Sequence, residues 1–175
     1  MTSPDIRFRP SVTVAAVIWR DTPGGETEYL LVEEETPEGL RLNNPAGHLE
    51  QGESPQQGVA REVLEETGRE FRPESVVGVY LSRFRRLPRP GRPAEDITYV
   101  RFAYAGTVGE RPPGRALDAG IVGTLWLTWS ELQRTRERHR SPLVLRCVAD
   151  HRAGRRLPLE AIHADVTVFD PEVRP

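Results

Sequence analysis

The chain has 175 residues, a mass of 19.7 kDa, 37% hydrophobic and 29% charged residues, and a formal net charge of −2. This is the length of one domain with a sizeable core, and the mixture of apolar residues and both charge signs argues against wholesale disorder. No run approaches the ~20 apolar residues of a membrane span, and Met1–Arg9 lacks the apolar stretch of a signal peptide.

In chain order, Ser11–Trp19 (SVTVAAVIW) is β-branched and apolar and predicts a buried strand. Pro23-Gly24-Gly25 is a turn, and Glu28–Glu35 (EYLLVEEE) is a second strand with a charged end. Asn43-Asn44-Pro45-Ala46-Gly47 breaks any regular pattern. Ser54–Gly68 predicts a helix: Ser54 caps it, Pro55 sits in the first turn, Gln57 completes a capping box and Gly68 ends it left-handed. Val76–Arg85 and Ile97–Thr107 are strands, joined by a Pro-, Gly- and Arg-rich loop over Leu87–Ala94. Val122–Thr128 is a further strand. Ser130–Arg138 and Ser141–Ala153 are expected helices, each opening with a serine, the second with Pro142 at its first position. Glu172–Pro175 is expected to fray. Strands and helices alternating over one short chain predict a sheet covered by helices.

Cys147 is the single cysteine, which excludes an intramolecular disulfide and a multi-cysteine metal site and points to a reducing cytoplasm. Residues 1–80 carry 15 acidic residues against 7 arginines, and residues 81–175 carry 11 against 17. All 24 basic residues are arginine, so lysine Schiff-base, P-loop and general-base chemistry is excluded. This usage reads either as coding bias or as a supply of guanidinium groups for phosphates. The negative net charge and the lack of a nucleic-acid motif argue against a nucleic-acid partner.

The chemistry concentrates in Gly47–Gly68. At about 100° per residue, Glu62, Glu65 and Glu66 share one arc about 100° wide, while Val59, Ala60, Val63 and Leu64 fill the opposite one. A glutamate-rich face is ordinarily solvated, but clustered like charges are unfavourable unless a cation joins them. Oxygen ligands without His or Cys suit Mg²⁺ or Mn²⁺ better than zinc. Arg61 either orients a metal-binding carboxylate or pairs with Glu53. Gly58, on the acidic arc, either leaves room for a ligand or packs tightly against a loop.

Gly47, Glu53 and the run Arg61-Glu62-Val63-Leu64-Glu65-Glu66-Thr67-Gly68 resemble the Nudix box, G-x5-E-x7-R-E-U-x-E-E-x-G-U, with U bulky and apolar. The last U position holds Arg69 instead. Flanking stretches, among them Phe8–Ile18, Asn44–Glu50 (NPAGHLE), Val100–Ala103, Ser141–Val144 and Leu157–Ile162, are similar to the bacterial NudJ phosphatase branch of these MutT-like hydrolases.

The resemblance implies an α/β Nudix fold: an α/β/α sandwich with a central mixed sheet and a loop–helix–loop metal site. One domain would span residues 7–163, with a C-terminal tail over 164–175. It implies an enzyme that uses Mg²⁺, or Mn²⁺, to cleave the phosphoanhydride of nucleoside tri- and diphosphates and of thiamine pyrophosphate or its pyrimidine precursor. The alternatives are a pyrophosphohydrolase of oxidised nucleoside triphosphates or ADP-ribose, and a nucleotide sensor that binds without turnover. The implied metal ligands are Glu62, Glu65, Glu66 and the Gly47 carbonyl. Glu53 is either an outer ligand or the partner that fixes Arg61. The general base is Glu62 or Glu65, or Asp118 if that residue is more than an ordinary loop aspartate. His48, Arg83, Arg85 and Arg101 are expected at the substrate phosphates, with the alternatives of loop packing for His48 and solvated strand ends for the arginines. Trp19, Trp126, Trp129, Phe84 and Tyr104 are available to stack a ring, although Trp126 suits the core. His139, His151 and His163 form no recognisable site. Specificity is expected in loops such as Arg86–Glu95, and both a monomer and a two-fold dimer fit.

Overall fold

The structure is a computed structural model that describes residues 8–88, 91, 93–170 and 172. Parts of the loop over 87–94 and of the tail expected to fray lie outside these residues. Seven strands form one mixed sheet: β1 (Ser11–Asp21), β2 (Thr27–Thr36), β3 (Gly39–Asn43), β4 (Ala46–His48), β5 (Phe71–Arg86), β6 (Glu95–Val108) and β7 (Ile121–Thr128). The helices are α1 (Pro55–Thr67), α2 (Trp129–Arg134) and α3 (Leu143–Arg152). The main path runs β3-β2-β1-β6-β5, with β4 on β1 and β7 on β2. Among the described strands only β1 and β6 run parallel; the other pairs are antiparallel. No helix among the described residues is long and apolar enough to cross a membrane.

The two-residue alternation of β1 builds both layers. Val14, Ala16 and Ile18 join Leu30, Val76 and Tyr104 on the face that Val59 and Val63 of α1 cover. Val17 joins Tyr29, Leu31, Ala103 and Ala105 on the other face, under Leu132 of α2 and Val144, Cys147 and Val148 of α3. Each such buried Val or Leu contributes about 1.5–3 kcal/mol. Cys147 is inert core: burial pushes its thiol up to about 11. Trp126 is half-buried, with the Arg20 guanidinium 4.1 Å above its ring.

The elements depart from the sequence reading first in the short strands β3 and β4, which it does not foresee; β4 begins within the expected break over Asn43–Gly47. The stretch Phe71–Ser75 extends β5 despite Pro73, which an edge strand tolerates at the register shift there. Thr128, not Ser130, caps α2, because Glu131 lies three residues on and closes a capping box. That helix ends at Arg134 and a separate 3-10 turn follows over Arg136–Arg138. Finally, α3 starts at Leu143 with no side-chain cap, so Ser141 does not play the part its position suggested.

Gly106 holds β6 against β5. A Cβ there would lie 2.0 Å from the Arg72 carbonyl oxygen, a backbone atom that cannot swing away. Gly106→Ala is therefore expected to cost about 1–3 kcal/mol in urea unfolding. Gly109→Ala, where a Cβ would meet nothing within 4 Å, is the control and leaves the midpoint unchanged.

His151, 4% exposed, is held between Trp19 and Tyr29. Burial, with Arg156 and Arg152 nearby, lowers its pKa to about 4. The unfolded chain then binds this proton more readily than the folded one. Stability is complete above an unfolded value of about 6.5 and falls as the pH drops towards 4, by on the order of 2–3 kcal/mol. The slope of stability against pH across this window is expected to flatten in His151→Gln; an unchanged slope would show that other groups carry it.

Candidate active site

Local chemistry fixes the central helix. Ser54 Oγ accepts the Gln57 N–H at 3.2 Å and Gln57 Oε1 accepts the Ser54 N–H at 2.9 Å, closing the capping box. At the other end Gly68 takes φ 68°, and its N–H reaches the Leu64 carbonyl. Arg69, where the motif has an apolar residue, donates to the Gly109 carbonyl at 2.9 Å and ties the helix exit to the end of β6.

Arg61 is the hub. Its Nε and Nη2 fork onto the two oxygens of Glu53 at 3.0 and 2.8 Å. Nη1 donates to Glu62 Oε1 at 2.8 Å and to Glu65 Oε2 at 2.9 Å. Nη2 also donates to the His48 carbonyl at 3.0 Å, which fastens β4 to the helix. The Glu53 carboxylate, held first of all by Arg61, is pulled below its ordinary pKa.

Glycines let the carboxylates come this close. A Cβ on Gly47 would lie 2.0 Å from Glu62 Oε1, so the Glu62 side chain lies directly on the β4 backbone. A Cβ on Gly58 would meet Glu53 Oε1 at 2.7 Å and Leu49 Cδ1 at 3.1 Å. Gly58 therefore serves tight loop packing and leaves no open space for a ligand.

Glu62 and Glu66 are each only 8% exposed, whereas the Glu65 side chain is 38% exposed. Burial raises the pKa of Glu62, although Arg61 opposes it. Glu66 accepts the Ala46 N–H at 2.9 Å, yet burial, aided by the charges of Glu62, Glu34 and Asp118, pushes it up to about 8. Asp118 is thus brought to the helix, where its N–H bonds the Glu65 carbonyl at 3.1 Å. Glu34 is a member that the sequence reading missed. In the run Glu33-Glu34-Glu35 it looked like a charged strand end, but it lies half-buried beside Asn43 and Arg140, within the field of Glu66.

The other expected residues fall into two groups. The His48 ring stands 6.3 Å from that of Tyr99, and Arg101 lies two residues further along the same face of β6. The Arg101 guanidinium is largely buried, with Nε and Nη1 unpaired. Burial lowers its pKa, countered by Cys147, Glu34 and Glu66. Arg83 instead forks onto Asp96 with both bonds at 2.6 Å, and Arg85 meets the same carboxylate at 3.2 Å. Both arginines are exposed and engaged within their own hairpin. Asn43 and Asn44, at the end of β3 and just after it, are 6% and 1% exposed and keep unpaired amide atoms.

This arrangement fits a divalent cation. Three carboxylates crowd the Arg61 guanidinium, the buried Glu62 among them, the buried Glu66 lies on the same helix face, and every available donor is a hard oxygen. Among the described residues no three His, Cys, Asp or Glu side chains already converge as a ligand set, because the Arg61 guanidinium sits between Glu53, Glu62 and Glu65.

The NUDIX domain family model matches residues 9–146. Phosphatase NudJ of Escherichia coli strain K12 is 32% identical over 155 residues, covering 89% of this chain and 92% of that protein. The solved NUDIX hydrolase from Nitrosomonas europaea is 43% identical, with a TM-score of 0.74, and covers 90% of this chain and 98% of its own. The NUDIX domain of Shewanella oneidensis NrtR, solved with ADP ribose, shares the fold at 17% identity, a TM-score of 0.64, and 87% and 93% coverage. The chain belongs to the Nudix hydrolases, which use divalent metal ions to hydrolyse pyrophosphate linkages in small molecules.

Proposed function

We propose that this protein is a Mg²⁺-dependent phosphohydrolase of the NudJ type, formed by one domain over residues 7–163. Its substrates are nucleoside tri- and diphosphates and thiamine pyrophosphate or the pyrimidine pyrophosphate precursor of thiamine. The 32% identity to NudJ across 92% of that protein supports this choice of substrates. The observation that carries the catalytic reading is the carboxylate cluster knitted by Arg61.

Glu62, Glu65, Glu66 and the Gly47 carbonyl hold the cation, with Mn²⁺ as a substitute. When bound, it neutralises diphosphate charge and acidifies the attacking water. Glu53 fixes Arg61, and Arg61 orients Glu62 and Glu65. Glu65 is the favoured proton acceptor, since it is the most exposed of the three and Arg61 holds it only at Oε2. Arg101 and His48 meet the phosphates; Arg83 and Arg85 do so only after leaving Asp96. The one-cysteine, negatively charged chain suits the cytoplasm and a small-molecule partner without nucleic acid, as a monomer or homodimer.

The test incubates the protein with Mg²⁺ and thiamine pyrophosphate, nucleoside di- and triphosphates, and ADP-ribose, separating phosphate from pyrophosphate release. Phosphate from thiamine pyrophosphate and nucleoside diphosphates is expected. Pyrophosphate from triphosphates, or cleavage of ADP-ribose alone, would move the function to a pyrophosphohydrolase. Binding of the same compounds without turnover would leave a sensor.

A further inference from the structure

A cavity of about 340 Å³ opens at the end of β1 away from the carboxylate site. The carboxylate site adjoins Thr13–Ala15 of β1, where β4 pairs. The new cavity is lined by Trp19 and Asp21 of β1, Tyr29 of β2, and His151, Arg152 and Arg156 in and after α3. Ala15 and Asp21 lie six residues apart on an extended strand, about 20 Å at ~3.3 Å per residue. The volume is near the lower end of the ~300–1,000 Å³ typical of small-molecule sites.

Three features make this a built site. The first is His151: although 4% exposed, it lines the cavity, and its Nε2 has no partner. Its Nδ1 lies 3.3 Å from the Tyr29 hydroxyl. We assign the Tyr29 hydroxyl as the donor to Nδ1, which places the ring hydrogen on Nε2. The cavity wall therefore contains a buried N–H without a partner, and the depressed pKa of this ring keeps it neutral near pH 7. The second is charge. Arg152 and Arg156 face the cavity against the single carboxylate of Asp21, which already accepts a 2.8 Å bond from Thr27. The carbonyls ending α3 are occupied by Ala153, Gly154 and Arg155 N–H groups and by Arg156 Nη1, so cationic side chains dominate that wall. The third is a flat wall: the Trp19 indole, with its ring centroid 5.9 Å from that of His151.

We propose that this cavity is a second ligand site, separate from the hydrolytic centre, for a small planar anion of the nucleoside monophosphate class. The phosphate takes Arg152, Arg156 and the His151 Nε2–H. The ring lies along Trp19, and Asp21 accepts from a ribose hydroxyl or ring amine.

The test titrates AMP, inorganic phosphate and adenosine separately into ¹⁵N-labelled protein with EDTA present. The Trp19 indole signal and the amides of residues 151–156 are expected to shift saturably with AMP, more weakly with phosphate, and not with adenosine. Arg152→Gln/Arg156→Gln is expected to weaken AMP binding roughly tenfold or more while keeping the spectrum dispersed and hydrolysis intact. His151→Phe, which preserves the ring packing, weakens it as well. Several results overturn the proposal: no shift at these residues with about 10 mM AMP, shifts only around Asn44–Glu66, or equal affinity in the arginine variant. Adenosine binding as tightly as AMP would remove the anion requirement, and phosphate binding as tightly would remove the ring.

Discussion

Glu66→Gln is expected to lower hydrolysis about 10²–10³-fold while the urea midpoint of the metal-free protein stays the same or rises. The side chain is only 8% exposed and has one hydrogen-bond donor, the Ala46 N–H. Its other neighbours include the carboxylates of Glu62, Glu34 and Asp118, which oppose its charge. A buried charge in that company does nothing for the fold on its own. Glutamine keeps the shape and retains an oxygen for Ala46, so only the charge is lost. If that charge serves a divalent cation, activity collapses and stability does not. The pair of measurements is kcat/KM with Mg²⁺ and the unfolding midpoint in EDTA. Activity within about threefold of wild type would remove Glu66 from the catalytic assignment.

The second large effect concerns Arg61. A guanidinium has five N–H donors, and here each has an acceptor: Glu53 twice, Glu62, Glu65 and the His48 carbonyl. A lysine has three donors and no fork, so Arg61→Lys must abandon some of these contacts and lets Glu62 and Glu65 drift. Activity is expected to fall about 10–100-fold, the usual penalty for losing a residue that orients metal ligands. Arg61→Ala goes further and leaves three carboxylates without their cation. Its metal-free form loses stability, and Mg²⁺ raises its melting temperature by more than it raises that of the wild type, because the ion replaces the missing positive charge. A smaller metal-induced rise in Arg61→Ala would show that guanidinium and metal do not share these oxygens.

The parts of this site legible in the sequence are those fixed by short-range rules. Ser54, Gln57 and Gly68 announce α1 because capping is decided within four residues. The helical period places Glu62, Glu65 and Glu66 on one face for the same reason. The His48 carbonyl that accepts from Arg61 could not be foreseen, since a backbone oxygen leaves no trace in residue identity. Glu34 was hidden because strand alternation says which side a residue faces but not that Glu66 lies across the gap. The strands β3 and β4 have five and three residues, too short for a periodic signal, and exist through pairing with β2 and β1. Thr128 and Glu131 spell out a capping box, although Ser130, two residues on, is also a residue type that caps helices. The two-residue alternation puts Arg83 and Arg85 on a common strand face, but only the hairpin register reveals that Asp96 faces them.

The parallel ladder between β1 and β6 also governs how the chain is made. Every pair in it, from Ser11 with Tyr99 to Ile18 with Gly106, joins residues 88 positions apart. A ribosome adding about 5–20 residues per second takes roughly 4–18 seconds to bridge that interval. Throughout it, the apolar core of β1 lacks the neighbour that shields its long edge, while α1, framed by its own caps, can form on local contacts. The nascent chain therefore passes through a stage in which the catalytic helix is written but has no finished sheet to dock on. This makes the interval before β6 emerges the stage of synthesis most exposed to aggregation and most dependent on chaperone cover.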